Sequence, residues 1–252
     1  MTAVLACQDL AKSFGGVAAV RGVSFAVDAG QMLALIGPNG AGKTTLFNLA
    51  GGQLRPDRGR VLLLGRDVTG LPPRALCRLG MGRTFQVARL FDSMLVRENV
   101  QVALLAAAGE TWRPWRPLAL RRAAEAERLL GEVGLAALAG QGAGALAYGD
   151  RKRLDLALAL AAGTRAAPGT RALLLDEPTA GMAPGERGGL MRLIRERADA
   201  RRLAVLFTEH DMGAVFDFAD RVVVMDRGRL IAEGTPAEVR ADAEVRRAYL
   251  GT

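Results

Sequence analysis

The sequence predicts an α/β protein on three observations. Short, continuous apolar runs recur along the 252-residue chain, as expected of parallel strands buried on both faces. One run leads straight into a glycine-rich turn and then a helical stretch. Between two groups of such runs, from about Arg97 to Ala162, the texture changes to helix. The length suits one large domain or a core with a subdomain. The expected boundaries are 1–90 and 165–252 for the core and 91–164 for a helical insert.

Val4–Gln8 and Val23–Val27 read as strands, bounded by Gly15-Gly16 and Asp28-Ala29-Gly30. Gln31–Ile36 is the apolar run before the glycine turn, and Thr44–Ala50 reads as the helix after it. Arg60–Leu64 and Met81–Phe85 are further strands. Within the insert, two prolines make Thr111–Pro117 a loop. Leu118–Val133 spaces its apolar residues for an amphipathic helix, and Asp150–Ala162 reads as another helix. Strands return at Leu173–Leu175, Leu203–Phe207 and Arg221–Met225. Thr235-Pro236-Ala237-Glu238 predicts a last helix with an N-cap, a proline at its first position and a glutamate at its third.

Half the residues are hydrophobic and 24% are charged, which excludes a disordered or collagen-like chain. Aromatics are only 5%, so the core must rest on Ala, Leu and Val. The formal net charge is +8 and the isoelectric point about 10.6. All but three of the 34 basic residues are arginine, the exceptions being Lys12, Lys43 and Lys152. This excess is either a compositional bias or a surface facing nucleic acid, an anionic membrane or a nucleotide. Cys7 and Cys77 lack metal-ligand spacing and read as inert thiols in a reducing compartment. The first ten residues lack a signal-peptide pattern, and no run approaches 18 apolar residues. The expectation is a soluble, cytosolic chain that leaves any membrane spanning to a partner.

The strongest motif is Gly37-Pro38-Asn39-Gly40-Ala41-Gly42-Lys43-Thr44, a G-x-x-x-x-G-K-[ST] match between a strand and a helix. Glycines let the backbone curl so that successive N–H groups face phosphate oxygens. The helix behind adds its positive end. Lys43 suits the β and γ phosphates, and the Thr44 hydroxyl suits Mg²⁺. Leu173-Leu174-Leu175-Asp176-Glu177 is a buried strand ending in two acids. Asp176 can hold Mg²⁺ through its water shell. Glu177 can reach a water in line with the γ-phosphate and orient or deprotonate it.

Beyond the loop and acid pair, nearly the whole chain resembles the ATP-binding subunit of an ABC transporter. Gln86, in Arg83-Thr84-Phe85-Gln86, stands where that family has its Q-loop glutamine. The resemblance implies that it touches Mg²⁺ and the attacking water, and that it links the core to the helical insert. Leu146-Ala147-Tyr148-Gly149-Asp150 stands where the family has its LSGGQ signature, with only Leu146 and Gly149 matching. Ala147 lacks the serine hydroxyl, but the Gly149 N–H and a helix beginning near Asp150 could still cap the phosphate held by a second subunit. His210, the only histidine, stands at the switch-histidine position after a strand, where ligands bind in open α/β sheets. Phe14 matches the aromatic that stacks on adenine; otherwise it is a strand-end core residue. Thr45 completes the nucleotide-binding set with Gly37 to Thr44. Ala180-Gly181-Met182-Ala183 follows as the family's D-loop does, without its usual polar side chain at Ala183.

The phrases Arg83-Thr84-Phe85-Gln86, Leu146-Ala147-Tyr148-Gly149, Glu209-His210-Asp211-Met212 and Ala248-Tyr249-Leu250-Gly251 are similar to the branched-chain amino-acid importer subfamily. The resemblance implies a P-loop NTPase core with an N-terminal antiparallel β subdomain and an inserted helical subdomain. It further implies Mg²⁺-dependent ATP hydrolysis that drives import of branched-chain amino acids or of urea, amides or aromatic acids. The implied partners are a second ATPase subunit, identical or paralogous, the permease subunits and, indirectly, a periplasmic binding protein. The implied place is the cytoplasmic face of the inner membrane, with no nucleic-acid partner. The alternative is a soluble ABC-type ATPase acting on nucleic acid, which the high isoelectric point invites. The short insert, without sustained heptads, speaks against it.

Overall fold

Four apolar strands, with a further strand at each edge, build the main sheet of this chain. A computed structural model describes residues 3–85, 88–110, 121–163 and 169–247. In chain order the elements begin with β1 (Leu5–Phe14), β2 (Val17–Val27), β3 (Met32–Ile36), α1 (Lys43–Ala50), β4 (Arg58–Leu63), β5 (Arg66–Asp67), α2 (Pro73–Arg78) and β6 (Met81–Arg83). The insert supplies α3 (Val96–Ala108), α4 (Ala123–Glu132) and α5 (Tyr148–Leu160). Then come β7 (Ala172–Asp176), α6 (Pro184–Arg201), β8 (Ala204–Thr208), α7 (Met212–Phe218), β9 (Arg221–Asp226), β10 (Arg229–Gly234), α8 (Pro236–Ala241) and α9 (Ala243–Val245).

The six-stranded sheet runs β10-β9-β3-β8-β7-β6. All its neighbours are parallel except the β9–β10 hairpin. Its strands are apolar on both faces because each face has its own core. Met32, Ala34 and Ile36 of β3 enter one core with the insert helices, while Leu33 and Leu35 enter the other with α1 and the second sheet. Leu173 and Leu175 of β7, and Val205 and Phe207 of β8, follow the first set; Leu174 and Leu206 follow the second. The second sheet, β2-β1-β4-β5, is antiparallel. Parallel pairing stacks the C-terminal ends of β3, β7 and β8 side by side, with Asp176 in register with Thr208 and Thr208 with Leu35. Among the described residues no helix is long and apolar enough to cross a membrane.

Several elements depart from the sequence expectation. The first strand runs on to Phe14, because β-bulges after Cys7, Leu10 and Lys12 break the alternation that marks a strand in sequence. The strand expected over Met81–Phe85 stops at Arg83, and the Phe85 N–H turns instead to the Asp155 carboxylate, at 3.4 Å. The amphipathic helix expected over Leu118–Val133 is described over Ala123–Glu132, after Arg122 in a left-handed conformation (φ +54°), and Leu118–Leu120 lie outside the described residues. The helix expected from Asp150 starts at Tyr148 and ends at Leu160. Thr235 caps α8 as its sequence predicts. Its hydroxyl accepts from the Glu238 N–H at 3.3 Å, and the Glu238 carboxylate accepts from the Thr235 N–H at 2.7 Å. Helices α2, α6 and α7 and strands β5 and β10 had no sequence signal strong enough to name them. Gln86, the Thr111–Pro117 segment and the Ala248–Gly251 ending lie outside the described residues.

Phe207, fully buried on the central strand β8, is the test of this core. Phe207→Ala should destabilise the fold by about 3–5 kcal/mol, read as a lowered midpoint in chemical denaturation.

Candidate functional site

The loop between β3 and α1 is threaded against two other strands. Gly37 (φ +146°) and Gly42 (φ +102°) hold conformations that L side chains avoid. A Cβ at Gly37 would overlap the Met225 carbonyl, and one at Gly42 the Ala19 carbonyl. The glycines are therefore fixed by close backbone approach as well as by φ. Lys43 Nζ lies under the loop and donates to the carbonyls of Gly37 (2.6 Å) and Pro38 (2.9 Å). Burial pulls its pKa below the usual lysine value, and the Glu177 charge works against that fall. Lys43, Thr44 and Thr45 form the first turn of α1, whose amides have no partner within the helix. Asn39, Gly40 and Ala41 close the curl, with the Ala41 N–H on the Pro38 carbonyl at 3.2 Å. The curl is a cradle for an anion.

Asp176 ends β7. One carboxylate oxygen accepts from the Thr208 hydroxyl at 2.9 Å, and the other lies 3.8 Å from Arg83 Nη2. Arg83 is itself held by Asn48 Oδ1 (2.7 Å) and packs over the rings of Phe47 and Phe85. Glu177 follows with φ +48°, a strained position for a residue with a Cβ. Its N–H bonds hold it there, to the Thr208 carbonyl (3.2 Å) and hydroxyl (3.1 Å). His210 Nε2 lies 2.8 Å from Glu177 Oε1. With the carboxylate ionised, that nitrogen carries the hydrogen. The two acids and the histidine thus gather at the ends of β7 and β8, and the Glu177 charge reaches Lys43 under the loop.

Phe14, at the end of β1, is 47% exposed, so it does not belong to the core. Its ring lies 5.7 Å from Lys12 Nζ. Leu146 is buried, Ala147 precedes α5 without a side-chain cap, and Tyr148, Gly149 and Asp150 make the first turn of that helix. Gln86 lies outside the described residues, so the geometry bears on its neighbours alone.

Sequence reasoning missed the supports. Arg83 stood inside a quoted motif without a role, and Thr208 lay one residue beyond the expected strand Leu203–Phe207. Glu209, almost fully buried, accepts from the Thr179 N–H and hydroxyl, both at 2.8 Å. Arg187 joins the Met182 carbonyl (3.1 Å) to Asp211 (3.3 Å), whose carboxylate caps α7. Apart from the Asp211 cap and from Arg187 and Met182, five residues apart, these contacts span 24 residues or more of sequence, and no local pattern signals them. Asp155 and Lys152 are both nearly fully buried on α5.

A curled loop with a half-buried lysine, near two acids and a histidine at the C-terminal edge of a parallel sheet, defines a P-loop nucleotide-binding protein. Residues 20–180 match the ABC transporter family, and residues 229–252 match the branched-chain amino acid ATP-binding cassette transporter family. The chain is 40% identical to the high-affinity branched-chain amino acid transport ATP-binding protein BraF of Pseudomonas aeruginosa, over 98% of both chains. It is also 40% identical to the corresponding protein LivG of Salmonella typhimurium, again over 98% of both. A crystal structure of an ABC transporter's ATP-binding cassette in its ADP conformation superposes with a TM-score of 0.85, at 30% identity over the whole of both chains. The chain belongs to the ABC transporter ATP-binding family and is an ATPase of that class.

Burial pushes the Asp155 carboxyl up to about 7, against the opposing pull of the Phe85 N–H and the Lys152 charge. Because the folded value lies above the ordinary 3.8, the folded chain holds this proton more tightly than the unfolded one. The stability from it is full below 3.8, is lost as pH rises and is gone above about 7. Asp155→Asn should therefore gain in Tm relative to the parent as pH rises from about 5 to about 7, with a constant difference at higher pH. Thermal melts of both proteins across that range check it.

Proposed function

We propose that this chain is the ATP-hydrolysing subunit of an importer for branched-chain amino acids or related small solutes, working against permease subunits at the cytoplasmic face of the membrane. One observation carries the hydrolytic part: Glu177 is held in a strained turn, hydrogen-bonded to His210, next to a loop whose lysine feels its charge. The match of residues 229–252 and the kinship with BraF and LivG support the cargo class.

In this reading the amides of Gly40 to Thr45 and the Lys43 ammonium hold the β and γ phosphates of ATP. Phe14 offers a face to the adenine. The Lys43 contacts to the Gly37 and Pro38 carbonyls are then exchanged for phosphate oxygens, which a cation at a loop of carbonyls can do without leaving its pocket. The Thr44 hydroxyl and the Asp176 carboxylate are hard oxygen donors and fit Mg²⁺, which supplies charge neutralisation on the phosphates when bound. Arg83 and Thr208 fix the Asp176 carboxylate between them. Gln86 completes this set as its position in the motif implies.

Glu177 accepts the hydrogen of the attacking water, and His210 steadies that carboxylate or the γ-phosphate. Leu146 to Asp150, with the Gly149 N–H in the first turn of α5, cap the triphosphate held by a second ATPase subunit, identical or paralogous. Residues 91–164 move as a helical unit against the core formed by 1–90 and 165–252. That motion carries the stroke to the permeases, while a periplasmic binding protein delivers the solute.

Lys43→Ala removes the charge under the loop. It should weaken ATP binding by about ten- to a hundredfold, as expected of a lost charge-assisted contact, measured with a fluorescent ATP analogue. Glu177→Gln should keep ATP affinity, lose turnover by about 10²–10⁴-fold, and accumulate as an ATP-bound dimer on size exclusion. For the cargo, vesicles carrying the subunit with its permeases should take up leucine only when ATP is supplied. Leucine uptake that is indifferent to ATP contradicts the importer reading.

A further inference from the structure

The segment after Glu177 is held by side chains from elsewhere in the fold. Within it, the Ala180 N–H donates to the Glu177 carbonyl and the Met182 N–H to the Thr179 carbonyl, both at 3.1 Å. Gly181 turns the chain with φ +79°. Helix α6 then begins after Ala183, whose methyl gives its first amides no side-chain acceptor. Two donors clamp the segment instead. Tyr148 Oη donates to the Ala180 carbonyl at 2.8 Å, and Arg187 Nε to the Met182 carbonyl at 3.1 Å.

Tyr148 is seated for this task. Its phenol crosses Gly181 so closely that a Cβ there would lie 2.7 Å from Oη and 3.1 Å from Cζ. Lys152 Nζ, one turn along α5, lies 5.7 Å from the ring centre. The ring therefore keeps its place although about half of the residue is exposed.

We infer that Tyr148 is a positioning residue that latches the first turn of α5 to the segment carrying Glu177, so that one subunit's grip on its partner's triphosphate orients its own catalytic carboxylate. This rests on the ATPase reading above and specifies how its two sites communicate. The path is short: Tyr148 hydroxyl to Ala180 carbonyl, Ala180 amide to Glu177 carbonyl, and Glu177 carboxylate to His210. A shift of the α5 terminus moves the Ala180 carbonyl, and the strained Glu177 turn must follow. The hydroxyl gives this chain a side-chain connection that neither Ala147 nor Ala183 can make.

Tyr148→Phe in the full-length chain tests the latch, since it keeps the ring and removes the single donor. Amide exchange at Ala180 and Met182 should quicken by about three- to tenfold without nucleotide, the range expected of one lost hydrogen bond. The kcat for ATP should fall by a similar factor, and its dependence on ATP should lose sigmoidicity. Affinity of the undimerised subunit for a fluorescent ATP analogue, set by its own loop, should stay at the parental value, and the Tm should fall by no more than about 4 °C. Parental exchange at both amides overturns the latch, as does quickened exchange with parental kcat and sigmoidicity. A parent chain that binds no ATP overturns the ATPase reading, and with it the latch's role in catalysis.

Discussion

One hydroxyl sets the geometry of the acids. Thr208 ends β8, in register with Asp176 at the end of β7. Its Oγ1 donates to Asp176 and accepts from the Glu177 N–H. Parallel pairing leaves the last residues of each strand without a further ladder partner, so their polar groups must be satisfied locally. The threonine does this for both acids at once. It fixes the Asp176 carboxylate at the sheet edge and holds Glu177 in a left-handed turn, which presents its carboxylate to His210. Without that hydroxyl on the neighbouring strand, the acid pair would be an ordinary solvated strand end.

The same logic extends outward from the sheet edge. Strain at Glu177, of order 1–3 kcal/mol for such a backbone, persists because bonds on several sides determine it. Arg83 and Thr208 flank Asp176, while Glu209 holds Thr179 and Arg187 bridges Met182 to Asp211. All of these contacts are buried or half-buried. In a medium of low effective dielectric such polar groups are costly if unpaired and rigid when paired. The site is therefore preorganised by a shell of polar contacts around the C-terminal edge, while the apolar strands below supply only the platform.

The loop and the acids were readable in the sequence because their chemistry is local. Gly37 to Thr44 must lie in order for a backbone curl to form, and Asp176-Glu177 must close an apolar run. Phe14 was legible as a motif position, but its freedom from the core was not, since β-bulges in β1 hide which face it takes. The expected helix at Asp150 began two residues early, because Tyr148 and Gly149 are poor helix signals on their own. Tyr148 therefore read as a departure from a signature, when its contact is with a carbonyl 32 residues away.

The sequence by itself determined the cradle, the acid pair, the lone histidine and the alternation of apolar runs with a helical insert. Each depends on neighbours within a few residues, through backbone curvature or strand burial. Only the tertiary structure decided which strands lie side by side, and hence that Thr208 serves Asp176, that Arg83 stands behind it, and that Tyr148 reaches Ala180. The physical reason is that a hydrogen bond fixes donor and acceptor to within an ångström in space but places no limit on their separation along the chain.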